Sequence, residues 1–179
     1  MKRLPLKSKV KTGRFVVPYR IYDNVGPHII CLNGVQQSMA MWHSFIRYFS
    51  FRYRIVLFDF PGQGKGQILS GSNLVSLDEQ VDILHAVIKN THSNNDLTIC
   101  TASWGGVVAV AFAAKYPQEV KRLNLASLGT KANQKMMETI KRGVEIDMED
   151  RDKMADTLID SFGQGLPEKI RRKIINQFK

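Results

Sequence analysis

Leu97-Thr98-Ile99-Cys100-Thr101-Ala102-Ser103-Trp104-Gly105-Gly106 is the stretch that decides the fold. Its first half is a short apolar run of the kind buried on both faces of a parallel sheet. A serine follows, and a small, apolar helical stretch, Trp104–Tyr116, begins at once and ends before Pro117. A strand that passes directly into a helix through a serine is the setting of a nucleophile elbow, where a sharp turn lifts the hydroxyl above the sheet. Such a turn is crowded, so it requires small residues two places before and after the serine. Gly105 meets that requirement at +2, and Gly106 lets the helix pack close to the strand. Thr101 stands at −2, where the usual motif has glycine. The plainer alternative is a serine that only caps a helix.

Strand and helix alternate on both sides of this stretch. Arg14–Asp23 reads as an extended segment, and Pro18 within it predicts an edge strand. His28–Leu32 is a second buried strand, closed by Asn33-Gly34. Ser38 caps a helix to about Ser50, with Trp42, Phe45 and Phe49 spaced three and four apart. Arg54–Asp59 is the next strand, followed by the glycine-rich loop Phe60–Gly66. Ser76 and Glu79 form a capping box before a helix whose apolar face is Leu77, Val81, Leu84 and Ile88; Asn94-Asn95-Asp96 breaks it. Arg122–Leu128 reads as a fourth buried strand, closed by Gly129. The β-α-β order predicts an α/β fold with a right-handed, doubly wound, mostly parallel sheet over residues 1–129. After Gly129 the pattern turns helical, with amphipathic stretches at Ala132–Glu145, Asp150–Phe162 and Pro167–Phe178. Residues 130–179 are therefore expected to be a helical cap segment beside the sheet.

Composition agrees with a globular chain. It has 179 residues, 44% hydrophobic and 23% charged. The longest apolar run, Val107–Ala114, is far shorter than the ~18 residues needed to cross a bilayer. Disorder, collagen, coiled coil and a membrane span are excluded on these grounds. The net charge of +10 sits at the ends: six bases and no acid in the first fourteen residues, five bases and no acid in the last eleven. No zinc spacing, helix-turn-helix or basic-aromatic strand pair accompanies these bases, so nucleic acid is not an expected partner. Solvated ends are the simplest account, and an anionic partner that docks electrostatically is the other. No apolar segment or cleavage site follows the basic start, so a cytoplasmic protein is expected, with Cys31 and Cys100 as buried, reduced thiols.

The chemistry predicted for the elbow follows from its parts. A serine hydroxyl attacks an acyl carbon only when a base takes its proton. The oxyanion that develops needs donors aimed at it. The Trp104 N–H at the helix start is one candidate. The Val35 N–H, in the loop after the His28–Leu32 strand, is the other, with the Gln36 N–H as the fallback. Asp59 is expected to order its glycine loop by accepting backbone N–H bonds. That loop, Gly62-x-Gly64-x-Gly66, lacks the Lys-Ser/Thr of a phosphate loop, and no cofactor or metal is expected. Met136, Met137, Met148 and Met154 would either line an acyl tunnel or simply pack helices.

These motifs together resemble the α/β-hydrolase superfamily, which has this element order and the loop Asp59-Phe60-Pro61-Gly62-Gln63-Gly64. The set Leu32-Asn33-Gly34, Val56-Leu57-Phe58-Asp59, Asp78–Leu84, Ala102-Ser103-Trp104-Gly105-Gly106 and Ala132–Met137 is similar to one branch of it. That branch comprises the hydroxyalkanoyloxy-alkanoate synthases, the rhamnosyltransferase A subunits of rhamnolipid biosynthesis, and the hydroxyacyl-carrier-protein:CoA transacylases. The resemblance covers about Ile29 to Lys179. It implies an acyltransferase or thioesterase acting on 3-hydroxyacyl thioesters of acyl carrier protein or CoA, with Ser103 as nucleophile. A generic carboxylesterase and a catalytically inactive fragment or interaction module are the competing readings. In such enzymes the acid and the histidine follow the cap in sequence order. The four histidines here, His28, His43, His85 and His92, all precede Ser103 and are expected to be structural or solvated. The core is therefore expected to be C-terminally incomplete, and the Arg122–Leu128 strand to be an exposed edge open to self-association.

Overall fold

A computed structural model of the chain describes residues 4–92, 96–131, 134–144, 150–163 and 165–178. They form two compact units, Met1–Leu128 and Gly129–Lys179. In the first, the strands are β1 (Leu6–Thr12), β2 (Phe15–Tyr22), β3 (His28–Leu32), β4 (Arg54–Phe58), β5 (Gln67–Ile68), β6 (Thr98–Ala102) and β7 (Arg122–Ala126). The helices are α1 (His43–Phe49), α2 (Leu77–Thr91) and α3 (Trp104–Lys115). The strands make one sheet in the order β1-β2-β4-β3-β6-β7, with β5 also paired to β2. The β3/β4, β3/β6 and β6/β7 pairs are parallel; β1/β2 and β2/β4 are antiparallel. This is the mostly parallel α/β sheet that the alternation of elements predicts.

The two-residue period of a strand sorts the core between two faces. Ile30, Leu32, Val56, Phe58 and Ile99 face one way, against Val81, Leu84 and Ile88 of α2 and Val108 and Phe112 of α3. Ile29, Cys31, Ile55, Leu57 and Cys100 face the other way, against Met39, Trp42 and Phe45. Helices thus cover both faces, and the short apolar strands have no solvent side. Each such side chain contributes about 1.5–3 kcal/mol through its burial. Ser38 caps a tight helical turn, Met39–Trp42, which runs on into α1. Ser76 and Glu79 form the full capping box of α2: the Glu79 N–H donates to Ser76 Oγ at 3.2 Å, and the Ser76 N–H donates to Glu79 Oε2 at 2.8 Å. Leu77 is more exposed than its place in the helical pattern predicts, while Ile83 and Val87 are buried and widen the stripe.

Three expectations are corrected by the fold. β1 has no counterpart among the expected strands: its Lys7, Lys9 and Lys11 alternate with Ser8, Val10 and Thr12, and lysine on an edge strand deters unwanted pairing. As a result β2 is not an edge, because it lies between β1 and β4. Pro18 is tolerated there because it sits just past the β2/β4 ladder, where its carbonyl still accepts from the Asp59 N–H at 3.2 Å. Finally, β7 is not buried on both faces: Arg122, Asn124, Leu125 and Ala126 are exposed and Leu123 is half-buried, at the end of the strand order.

The second unit is helical: α4 (Gln134–Val144), α5 (Arg151–Phe162) and α6 (Glu168–Phe178). Asp150 caps α5, accepting from the Lys153 N–H at 3.1 Å. α4 packs on α5, and α5 on α6. Met136 and Met137 are exposed; Met148 lies outside the described residues, as do Ala132, Asn133 and Glu145. Among the described residues no helix is long and apolar enough to cross a membrane.

Candidate active site

Ser103 joins β6 to α3 with φ 49° and ψ −118°. A residue with a β-carbon held at positive φ costs on the order of 1–3 kcal/mol and persists only where its surroundings impose it. The restraints here are visible. The Ser103 N–H donates to the Ala126 carbonyl of β7 at 2.9 Å, and the Ser103 carbonyl accepts from the Gly106 N–H at 2.8 Å. The side chain makes no capping hydrogen bond to α3. Ser103 is therefore not a helix-capping serine: its hydroxyl is held at the bend, at the C-terminal end of a central strand.

The glycines explain how the bend fits. A β-carbon on Gly105 would lie 2.7 Å from the Leu32 carbonyl oxygen and 2.8 Å from that of Asn33. The first turn of α3 therefore presses directly on the end of β3. A β-carbon on Gly106 would meet Leu128 and Thr101 Oγ1 at 3.3 Å. Thr101 is buried, with Oγ1 donating to the Asn124 carbonyl at 3.4 Å. Threonine thus replaces the usual glycine at −2 because Gly106 leaves space for it.

The loop after β3 is anchored from several directions. The Gly34 N–H donates to Gln37 Oε1 at 2.8 Å, and the Gly34 carbonyl accepts from Gln63 Nε2 at 2.8 Å. A β-carbon on Gly34 would sit 3.3 Å from the Ala102 carbonyl oxygen, so this loop touches the elbow. Buried Asn33 donates through Nδ2 to the Phe58 carbonyl at 3.0 Å and to Asp59 Oδ1 at 3.3 Å, and its Oδ1 accepts from Trp42 Nε1 at 2.8 Å. Val35 follows directly, its side chain 59% exposed, and Gln36 has φ 57°. Trp104 Nε1 donates to Gln80 Oε1 of α2 at 2.9 Å. Sequence reasoning assigns no role to Asn33, Gln37, Gln63 or Gln80.

Asp59 orders its loop as expected. Its carboxylate accepts from the Met39 N–H at 2.7 Å and the Lys65 N–H at 3.3 Å. Gly64, at φ 49°, leaves no room for a β-carbon beside it. Burial raises the Asp59 pKa above its usual value, against the opposing pull of these hydrogen bonds. Cys31 and Cys100 are register partners on β3 and β6, both free and buried, and burial raises both thiol pKa values.

None of the four histidines is hydrogen-bonded to Ser103. His28 begins β3 and His92 follows the end of α2, at the opposite ends of the strands. His85 Nε2 pairs with Glu119 Oε1 at 3.0 Å and its ring stacks on Tyr116. His43 opens α1 and is exposed.

Comparison with known proteins gives a consistent picture. A family model described as the alpha/beta hydrolase fold matches residues 27–168. Human monoacylglycerol lipase ABHD6 is 29% identical over 63% of this chain and 33% of its own length. The pimeloyl-[acyl-carrier protein] methyl ester esterase of Nitrosomonas europaea is 28% identical over 57% of this chain and 37% of its own. The matched region thus spans about a third of these relatives. An alpha/beta hydrolase enzyme from a Medee basin deep-sea metagenome library superimposes with a TM-score of 0.76 at 21% identity, covering 96% of this chain and 66% of that one. A hydrolase from Pseudomonas aeruginosa gives a TM-score of 0.79 at 16% identity, with the same coverage. Fold, family model and relatives agree: this chain belongs to the α/β-hydrolase family.

Proposed function

We propose that Ser103 is the nucleophile of a serine acyl-transfer reaction on 3-hydroxyacyl thioesters carried by acyl carrier protein or CoA. The observation that carries this reading is the strained Ser103 backbone with its uncapped hydroxyl at the end of β6. In the first step Oγ attacks the thioester carbonyl carbon while a base takes its proton. The Trp104 and Val35 N–H groups receive the developing oxyanion. Collapse expels the thiol and leaves a Ser103 ester. Water, CoA or the hydroxyl of a second hydroxy acid then attacks that ester and frees Ser103. Among the described residues no histidine is hydrogen-bonded to Ser103, and the reading leaves the base and its orienting acid unassigned.

Two points support a carrier-bound acyl group. One relative acts, by its name, on a carrier-protein-linked ester. β1 also presents Lys7, Lys9 and Lys11 at the sheet edge, four places from β6 in the strand order. Charge at that distance steers an acidic carrier rather than gripping it, and its effect fades with salt. Arg14 is not part of this free charge, since Glu79 and the carbonyls of Ser70 and Leu74 hold its guanidinium. A cytoplasmic setting fits two free thiols.

A generic carboxylesterase is the second reading, favoured by the likeness to monoacylglycerol lipases. Fluorophosphonate labelling followed by intact-mass and peptide analysis tests the nucleophile. Labelling confined to Ser103 supports it, and no labelling of the folded protein points to a binding module instead. Turnover of 3-hydroxyacyl thioesters against plain p-nitrophenyl esters separates acyltransferase from esterase.

A further inference from the structure

His28 lies at the start of β3, His92 just past α2, and Asp96 just before β6. They meet at the opposite end of the sheet from Ser103. His28 Nδ1 and His92 Nδ1 are 2.6 Å apart, their rings edge-on with centroids 4.4 Å apart. One ligand atom of each of the three residues lies within 4.8 Å of the other two. Asp96 Oδ1 is buried and accepts no hydrogen bond from the described residues; His92 Nε2 is 4.0 Å away. A proton shared between the imidazoles would bind them to each other but leave this desolvated carboxylate oxygen unsatisfied, which is costly. A cation bound by all three would lie between the two imidazole nitrogens and give the carboxylate oxygen a partner.

We propose that His28, His92 and Asp96 bind one divalent transition-metal ion of the zinc class. Two imidazoles and a carboxylate are a donor set suited to zinc, with one position left for water. Zn–N bonds of about 2.0–2.1 Å in tetrahedral array hold ligand atoms roughly 3.3 Å apart. The imidazole nitrogens need to separate by less than an ångström, and the carboxylate needs to swing inward. Arg54 also acts electrostatically on His28, and its Nε donates to Asp23 Oδ1 at 2.8 Å, which offsets part of its charge. The ion would tie the end of α2 to the starts of two central strands. Its role is structural, because the site shares no residue with the elbow.

The test uses the whole untagged chain, stripped with a chelator and dialysed against zinc chloride. One equivalent of zinc should remain, and zinc should raise the melting temperature. Cobalt in its place should give the visible absorption of a low-coordinate site. His28→Gln and Asp96→Asn should each weaken zinc binding by roughly tenfold or more. If His28→Gln fails to fold, Asp96→Asn decides, since that side chain is partly exposed. No retained zinc, or zinc retained equally by the folded variants, overturns the proposal. Neither result depends on whether Ser103 reacts.

Discussion

Ser76 and Ser103 each pass an extended segment into a helix, and their surroundings treat them in opposite ways. Ser76 has φ −66° and spends its hydroxyl on the Glu79 N–H, closing a reciprocal box at the start of α2. Ser103 has φ 49° and caps nothing at the start of α3. The first arrangement lowers the free energy of the local structure. The second raises it, and glycines, a β7 carbonyl and the end of β3 hold it in place. A strained and uncapped side chain at a strand end is what separates a candidate nucleophile from a helix cap of the same residue type.

The widest expected gap between the two serines is in reactivity. Ser103→Ala should abolish fluorophosphonate labelling, and Ser76→Ala should leave it intact; persistent labelling of Ser103→Ala would erase the contrast. Next comes packing. Gly105→Ala drives a β-carbon into two backbone carbonyls that cannot move aside, and should cost about 3 kcal/mol in urea denaturation, or prevent folding. The serines should then diverge in the sign of their effect on stability. Ser103→Gly relieves the positive φ and should raise stability by roughly 1 kcal/mol, partly offset by the extra freedom of the unfolded chain. Ser76→Ala should lower it by about 1 kcal/mol.

The pH dependence should differ by region as well. Arg14, followed by the Ser76 N–H, holds the Glu79 pKa below 4.5. That stabilisation is full above the unfolded value and disappears as pH falls through the folded one, so Glu79→Gln should flatten the acid side of the stability curve. Asp59, whose pKa is raised by burial from 3.8, acts in the reverse sense: its contribution declines as pH rises through the window above that value. The smallest effect should be a coupling. Gly106→Ala should cost less in a Thr101→Gly background, by about 0.5 kcal/mol, because one of its crowding atoms is then gone.

The elbow is legible in the sequence because its signals are local: an apolar run, a serine, and glycines at fixed offsets. The capping box of α2 and the ordering role of Asp59 are readable for the same reason. What escapes such reading depends on partners distant in sequence. The β1 lysines alternate with period two, yet an end rich in bases and free of acids presents itself first as net charge, which hides the strand. Pro18 suggests an edge, and only the register with β4 shows that its missing N–H falls beyond the ladder. The Asn33 network joins residues up to 30 positions apart, and the His28–His92 contact spans 64. No periodicity in one chain reports such meetings.

The loop after β3 has a further consequence. It is tied through the Asn33 side chain and the Gly34 backbone by groups from three other segments, while Val35 is largely exposed. Scaffold and ornament are thereby uncoupled at adjacent atoms. Exchanging the residue at position 35 would change the surface of this loop while leaving the hydrogen bonds that anchor it untouched.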